Sequence, residues 1–115
     1  MADIEAHRAQ LDELRVTVLD RVESAVAALA ELTHDRDEPA DDEHDPEGVT
    51  LSAEWSRLAA LVEAAQSELR QVEDALLRVD AGTYGVCESC ARPIPAARLE
   101  ARPMARMCVD CASRR

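Results

Sequence analysis

The sequence predicts a mainly α fold: a long antiparallel two-helix coiled-coil hairpin joined to a small C-terminal module organised by four cysteines. Three features carry that prediction. Two separate runs place apolar residues at helical spacing, a proline-containing acidic segment lies between them, and two Cys-x-x-Cys pairs close the chain.

The first run extends from Ile4 to Leu32, with Ile4, Leu11, Leu14, Val18, Val22, Ala25, Leu29 and Leu32 separated by steps of three, four and seven. That spacing sets them along one side of a helix. The stripe drifts across the heptad and is interrupted by His7 and Arg21, so it suits a shallow interface better than a strict zipper. The second run is more regular. Leu51, Trp55, Leu58, Val62, Ala65, Leu69, Val72, Leu76 and Val79 alternate steps of four and three without a miss. Thr50 or Ser52 is a candidate N-cap, and Gly82 stands where a helix C-terminus needs a residue of positive φ, which bounds this helix at about 50 to 80. Trp55 lies on the stripe and is assigned to helix packing.

Between the runs, THDRDEPADDEHDPEGVT holds Pro39, Pro46 and Gly48 together with eight acids among residues 35–47, and no helix is expected to continue through it. Two helices of similar length joined this way bury their stripes against each other as an antiparallel hairpin, with the loop at about 34–49 as its tip. Roughly 28 residues at about 1.5 Å each make an arm of ~40 Å. An intermolecular coiled coil would use the same stripes, and periodicity alone leaves both open. The expected division is residues 1–80 for the hairpin and 81–115 for the cysteine module.

Composition supports a slender protein. There is no Phe, one Trp and one Tyr, so narrow helix–helix seams are better supplied than a thick core. The net charge of −11 is unevenly spread: residues 1–80 carry 7 Arg against 21 Asp and Glu, whereas residues 81–115 carry 6 Arg against 3 acids. Tight nonspecific attachment to a phosphate backbone needs the opposite balance. No segment approaches the roughly 20 apolar residues that span a bilayer, and MADIEAHRAQ lacks a basic-then-apolar leader pattern, so a cytoplasmic location without a membrane partner is expected.

Cys87-x-x-Cys90, seventeen residues, then Cys108-x-x-Cys111 is the spacing of zinc ribbons and related fingers. Each pair sets two sulfurs on one side of a metal, and four thiolates complete a closed tetrahedron around one structural Zn²⁺ with no place for a catalytic water. A redox dithiol would need a strand-helix-strand setting that is absent here. With no activated nucleophile and no open metal site, an enzyme is not expected. At the tip, Asp41, Asp42, His44, Asp45 and Glu47 have two readings: a solvated loop, or carboxylates that reach a basic or metal-bearing site on a partner, since hard oxygens suit Mg²⁺.

The segment GTYGVCESCARPIPAARLEARPMARMCVDC, Gly82 to Cys111, resembles the DksA/TraR family of bacterial zinc-finger transcription regulators, joining the GTYG turn, both cysteine pairs and RLEARP in the family's order. The resemblance implies a regulator that binds RNA polymerase and inserts its hairpin through the secondary channel, so that the tip approaches the catalytic Mg²⁺. It also implies a contact with polymerase or guanosine tetraphosphate at Arg98 and Arg102. Two departures stand out. The family's Asp-x-x-Asp-x-Ala tip is met here by His44, Glu47 and Val49, or with shifted register by Asp42, Asp45 and Glu47. The helix position that is Lys in nucleotide-binding members is Gln71 here, and the residue after the last cysteine is Ala112. The competing readings are a zinc-stabilised adaptor of another complex and a direct DNA binder using Arg92, Arg98, Arg102 and Arg106; sequence-specific DNA binding is not expected.

Overall fold

The computed structural model describes residues 3–37 and 47–114, with side chains for 3–34 and 50–114. Four helices follow in order: α1 (Ile4–Asp37), α2 (Glu47–Ala81), α3 (Ala96–Ala101) and α4 (Val109–Ser113). Among the described residues the only β pairing is an isolated bridge between Val86 and Pro93. No helix is long and apolar enough to cross a membrane among those residues.

Asp3 starts α1. Its Oδ1 accepts the backbone N–H groups of Glu5 at 3.1 Å and Ala6 at 3.3 Å, which satisfies two of the donors a helix start leaves unpaired. Both long helices reach further into the acidic segment than expected. α1 continues past Leu32 to Asp37, because nothing from Thr33 to Asp37 is a proline or glycine. α2 begins at Glu47 and not beside Thr50 or Ser52; Glu47 and Gly48 occupy a first turn, where an acid is favoured by the helix dipole. The tip residues Asp41, Asp42, His44 and Asp45 lie outside the described residues, and Glu47 is described by its backbone alone.

The chain forms two compact units, Met1–Val16 with Arg70–Arg115, and Thr17–Leu69. In each, α1 runs antiparallel to α2. Within the first unit Arg8 pairs with Asp80 at 2.5 Å and Arg15 with Glu73 at 3.2 Å. Within the second, Arg21 pairs with Glu68 at 2.6 Å and the Trp55 indole N–H donates to Thr33 Oγ1 at 3.2 Å. As the α1 number rises the α2 partner falls in step, which is the register of a hairpin made by one chain. These pairs are largely exposed, so each contributes at most about 1 kcal/mol and their main effect is on register.

Stability comes from the seam. Leu11, Val18 and Val72 have no exposed surface, and complete burial of such a side chain is worth about 1.5–3 kcal/mol. Ala65 and Val79, both on the expected stripe, are also buried, as is Ala75, which is not on it. Two assignments change. His7, an interruption in the sequence pattern, is 6% exposed with its ring 5.5 Å from that of Tyr84, whereas Trp55, expected in the seam, is 38% exposed and held by its indole N–H. An amphipathic side chain can lay an apolar body on a seam while its polar edge finds a partner, and pattern counting alone does not separate these cases.

Gly82 ends α2 as the spacing predicts. At φ +76° it lets its own N–H reach Val79 O at 3.2 Å and the Thr83 N–H reach Arg78 O at 2.9 Å, the paired bonds of a Schellman ending. A Cβ there would touch nothing within 4 Å, so any cost of substitution is conformational. Gly82→Ala is expected to lower unfolding free energy by about 1–2 kcal/mol and Gly82→Asn by less, measured by urea denaturation of the zinc-loaded protein.

Candidate metal centre

The turn after α2 delivers the chain into a compact module. Tyr84 is buried against it, and its hydroxyl donates to Pro103 O at 2.8 Å. Burial pushes the phenol above its ordinary range, with Arg78 pulling the other way, so Tyr84 stays protonated and able to donate. Gly85, at φ +82°, passes close to Leu99; a Cβ would lie 3.4 Å from Leu99 Cδ1, and Leu99 is the fully buried anchor of α3.

The first cysteine pair sits on a tight turn. The Cys87 N–H bonds to Arg92 O and the Ala91 N–H returns to Cys87 O, both at 2.9 Å. Ala91 completes this turn at φ +63°, a left-handed position that a side chain occupies at a cost. The second pair rides on a helix start: Cys108 is the N-cap residue of α4 and Cys111 lies within it.

What brings the pairs together is a set of bonds to the backbone of residues 103–107. Tyr84 holds Pro103 O, Arg98 Nε donates to Met107 O at 2.8 Å, and the Glu88 N–H donates to Arg106 O at 2.9 Å. Arg106 then joins two carboxylates, Asp74 of α2 and Glu88 of the first turn, while Asp74 also accepts from Arg78 at 2.6 Å. On the other side Gln10 of α1 donates to Glu100 O at 3.0 Å. The metal module and the adjoining ends of α1 and α2 therefore form one unit.

The outcome is a cluster in which the sulfurs of Cys87, Cys90, Cys108 and Cys111 all lie within 4.8 Å of one another. Cys90 and Cys108 are 3.9 Å apart, close to the ~3.8 Å edge of a tetrahedron with ~2.3 Å Zn–S bonds and far beyond a disulfide's ~2.05 Å. Backbone N–H groups of Cys108 and Cys90 lower the Cys87 thiol to about 6, whereas a hydrogen bond with Cys108 raises Cys111 to about 12. Cys87 thus favours the thiolate form, while Cys111 holds a proton that a cation would displace. Four soft sulfurs in a closed arrangement fit Zn²⁺ and leave no vacant coordination position.

The arginines of the module divide. Arg98 is half-buried and tied to Met107 O, and Arg106 is bound between two carboxylates. Arg92 and Arg102 are exposed. Sequence reasoning found every cysteine and the Gly82 turn, but it missed Arg78 and Asp74, which sit on α2 with no local signal, and the left-handed Ala91.

Site and scaffold together define a C4 zinc-finger protein, with one structural zinc ion held beside a two-helix hairpin. The model for the prokaryotic dksA/traR C4-type zinc finger matches residues 82–115. An uncharacterised protein of Aquifex aeolicus is 34% identical over 109 residues, 95% of this chain and 73% of that one. The RNA polymerase-binding transcription factor DksA of Escherichia coli is 32% identical over 80 residues, 70% of this chain and 53% of that one, so the match spans about half the length of such DksA relatives. Among solved structures, transcription factor DksA2 of Pseudomonas aeruginosa superposes with a TM-score of 0.84 at 25% identity, over 96% of this chain and 81% of that one. A DnaK suppressor protein of Agrobacterium tumefaciens gives 0.54 at 26% identity, over 100% and 96%. Residues 82–115 belong to the dksA/traR C4-type zinc-finger family, and the chain as a whole shares its fold with a DksA2 structure.

Three outcomes test the centre. Zinc content is expected to be one per chain and to fall on acidification, because four thiolates must compete with protons, with release followed by a chromogenic chelator. Cys108→Ser is expected to abolish tight binding and unfold the module. Ala91→Gly is expected to raise unfolding free energy by about 1 kcal/mol without changing zinc content, since it relieves the left-handed alanine.

Proposed function

We propose that this chain binds RNA polymerase, directing the acidic loop of its hairpin into the secondary channel and thereby modulating initiation as a cytoplasmic, non-enzymatic regulator. The observation that carries this reading is the joint presence, in one chain, of an antiparallel hairpin and a C4 module matching a transcription factor structure over nearly its full length. The carboxylate-rich stretch between α1 and α2 fits a partner that presents cationic groups or a hard metal ion. Asp41, Asp42, His44, Asp45 and Glu47 are the residues proposed to make that contact.

Within the same reading, Arg102 is the better module contact for polymerase or guanosine tetraphosphate. It is exposed, whereas Arg98 spends its Nε–H on Met107 O. Direct DNA binding is disfavoured by the net charge of −11 and by the engagement of Arg98 and Arg106 inside the module.

The test is co-purification and in vitro transcription with core and holo RNA polymerase. Wild-type protein is expected to bind and to shift transcript yield, while replacement of residues 38–46 by Gly and Ser removes the effect on transcription with zinc content unchanged. An unaltered effect of that replacement would overturn the proposed role of the loop. Arg102→Ala is expected to weaken polymerase binding or nucleotide response about tenfold, and Arg92→Ala to leave both near wild type.

A further inference from the structure

The four cysteines of the metal centre are not covered alike. Cys87 is 1% exposed, and its sulfur accepts from the backbone N–H groups of Cys108 and Cys90. Cys90 is exposed, and Cys108 and Cys111 are half-buried. Those last three, without Cys87, line a pocket of about 410 Å³ in the surface of the module. A molecule entering it meets three of the ligands and not the fourth.

Charge decides what can enter. Four thiolates outweigh the two charges of Zn²⁺, so the loaded centre is anionic, and an anionic metal acceptor approaches it against repulsion. Arg92 and Arg114, both exposed, line the same pocket, opposed there by the single carboxylate of Asp110. In a space of this volume the lining charges lie within roughly the ~8 Å over which charge is felt at physiological salt. The two guanidiniums therefore lower the repulsion along this path. Access to one side of the centre is enough for substitution, because Zn²⁺ imposes no geometry through its d electrons and can gain a donor before another leaves.

We propose that this pocket is the exchange site of the metal centre, where a small anionic multidentate metal acceptor or donor docks and zinc passes by direct substitution, Cys90 leaving first and Cys87 last. One donor atom of the incoming molecule takes the place of the Cys90 sulfur. That thiolate departs with its electron pair and takes a proton from water, so nothing is oxidised or reduced. The exchange does not depend on any engagement of polymerase.

The test follows zinc retained by the loaded full chain, by metal analysis after rapid desalting, during transfer to EDTA, which is anionic, or to TPEN, which is neutral and of equal denticity. The rate of transfer is expected to rise in proportion to EDTA concentration. Arg92→Gln and Arg114→Gln should each slow transfer to EDTA about threefold and together about tenfold, the difference shrinking at high salt, with the TPEN rate nearly unchanged. Arg70→Gln removes the same charge from an exposed position on α2 that does not line the pocket, and should alter neither rate. Limited alkylation of the loaded wild-type protein with neutral iodoacetamide, read by peptide mapping, should label Cys90 first and Cys87 last. Helicity and initial zinc content check that each variant is folded.

A transfer rate independent of EDTA concentration would overturn the proposal, since zinc would then leave before any acceptor arrives. Equal slowing with EDTA and TPEN would also overturn it, by showing that the arginines support the structure of the centre and not the approach of an anion. Labelling of Cys87 ahead of Cys90 would overturn the order of departure and with it the assigned route.

Discussion

Four sulfurs must meet within 4.8 Å, and most of the C-terminal architecture is the backbone's answer to that requirement. Neither cysteine pair can be brought to the other by local turns alone, because seventeen residues separate them. The distance is closed by carbonyls of residues 103–107, held from three directions by Tyr84, Arg98 and the Glu88 N–H. With so few buried apolar side chains in this part of the chain, Leu99 and Ile94 among them, a metal's contribution to folding is of first importance.

The hairpin meets a different constraint. Alanine-rich helices lacking phenylalanine can bury only a narrow line of side chains, and among the described residues the fully covered ones on the two long helices are few: Leu11, Val18, Val72 and Ala75. Register is then decided by charges beside the seam. Arg8 with Asp80, Arg15 with Glu73 and Arg21 with Glu68 each bridge α1 to α2, and a slip by one turn would break every one of them. Weak interactions individually, they discriminate between pairings of nearly equal apolar burial.

Much of this was legible beforehand, for identifiable reasons. The alternating stripe of α2, the proline-bearing interruption and the paired cysteines are local patterns whose physics is carried within a few residues of sequence. Gly82 was legible because a helix end asks for positive φ where no side chain pays for it. His7 and Trp55 were not, since each combines an apolar ring with polar nitrogen and its place depends on a partner distant in sequence, Tyr84 in one case and Thr33 in the other. The Asp74–Arg106–Glu88 arrangement was equally hidden, for it joins residues spread over three segments. The helix ends were misjudged because the whole stretch around Pro39, Pro46 and Gly48 was treated as one interruption, although α1 runs to Asp37, ahead of the first proline, and α2 starts at Glu47, directly after the second.

The confinement of the entire net charge to Thr17–Leu69 gives ionic strength two opposing jobs. Added electrolyte relaxes the crowding of carboxylates along that unit and so favours its folded form, yet the same ions weaken the pull on any cationic visitor. Fold and encounter thus answer to salt with opposite signs, while in the metal-bearing unit salt acts chiefly by screening exposed pairs such as Arg8–Asp80 and Arg15–Glu73.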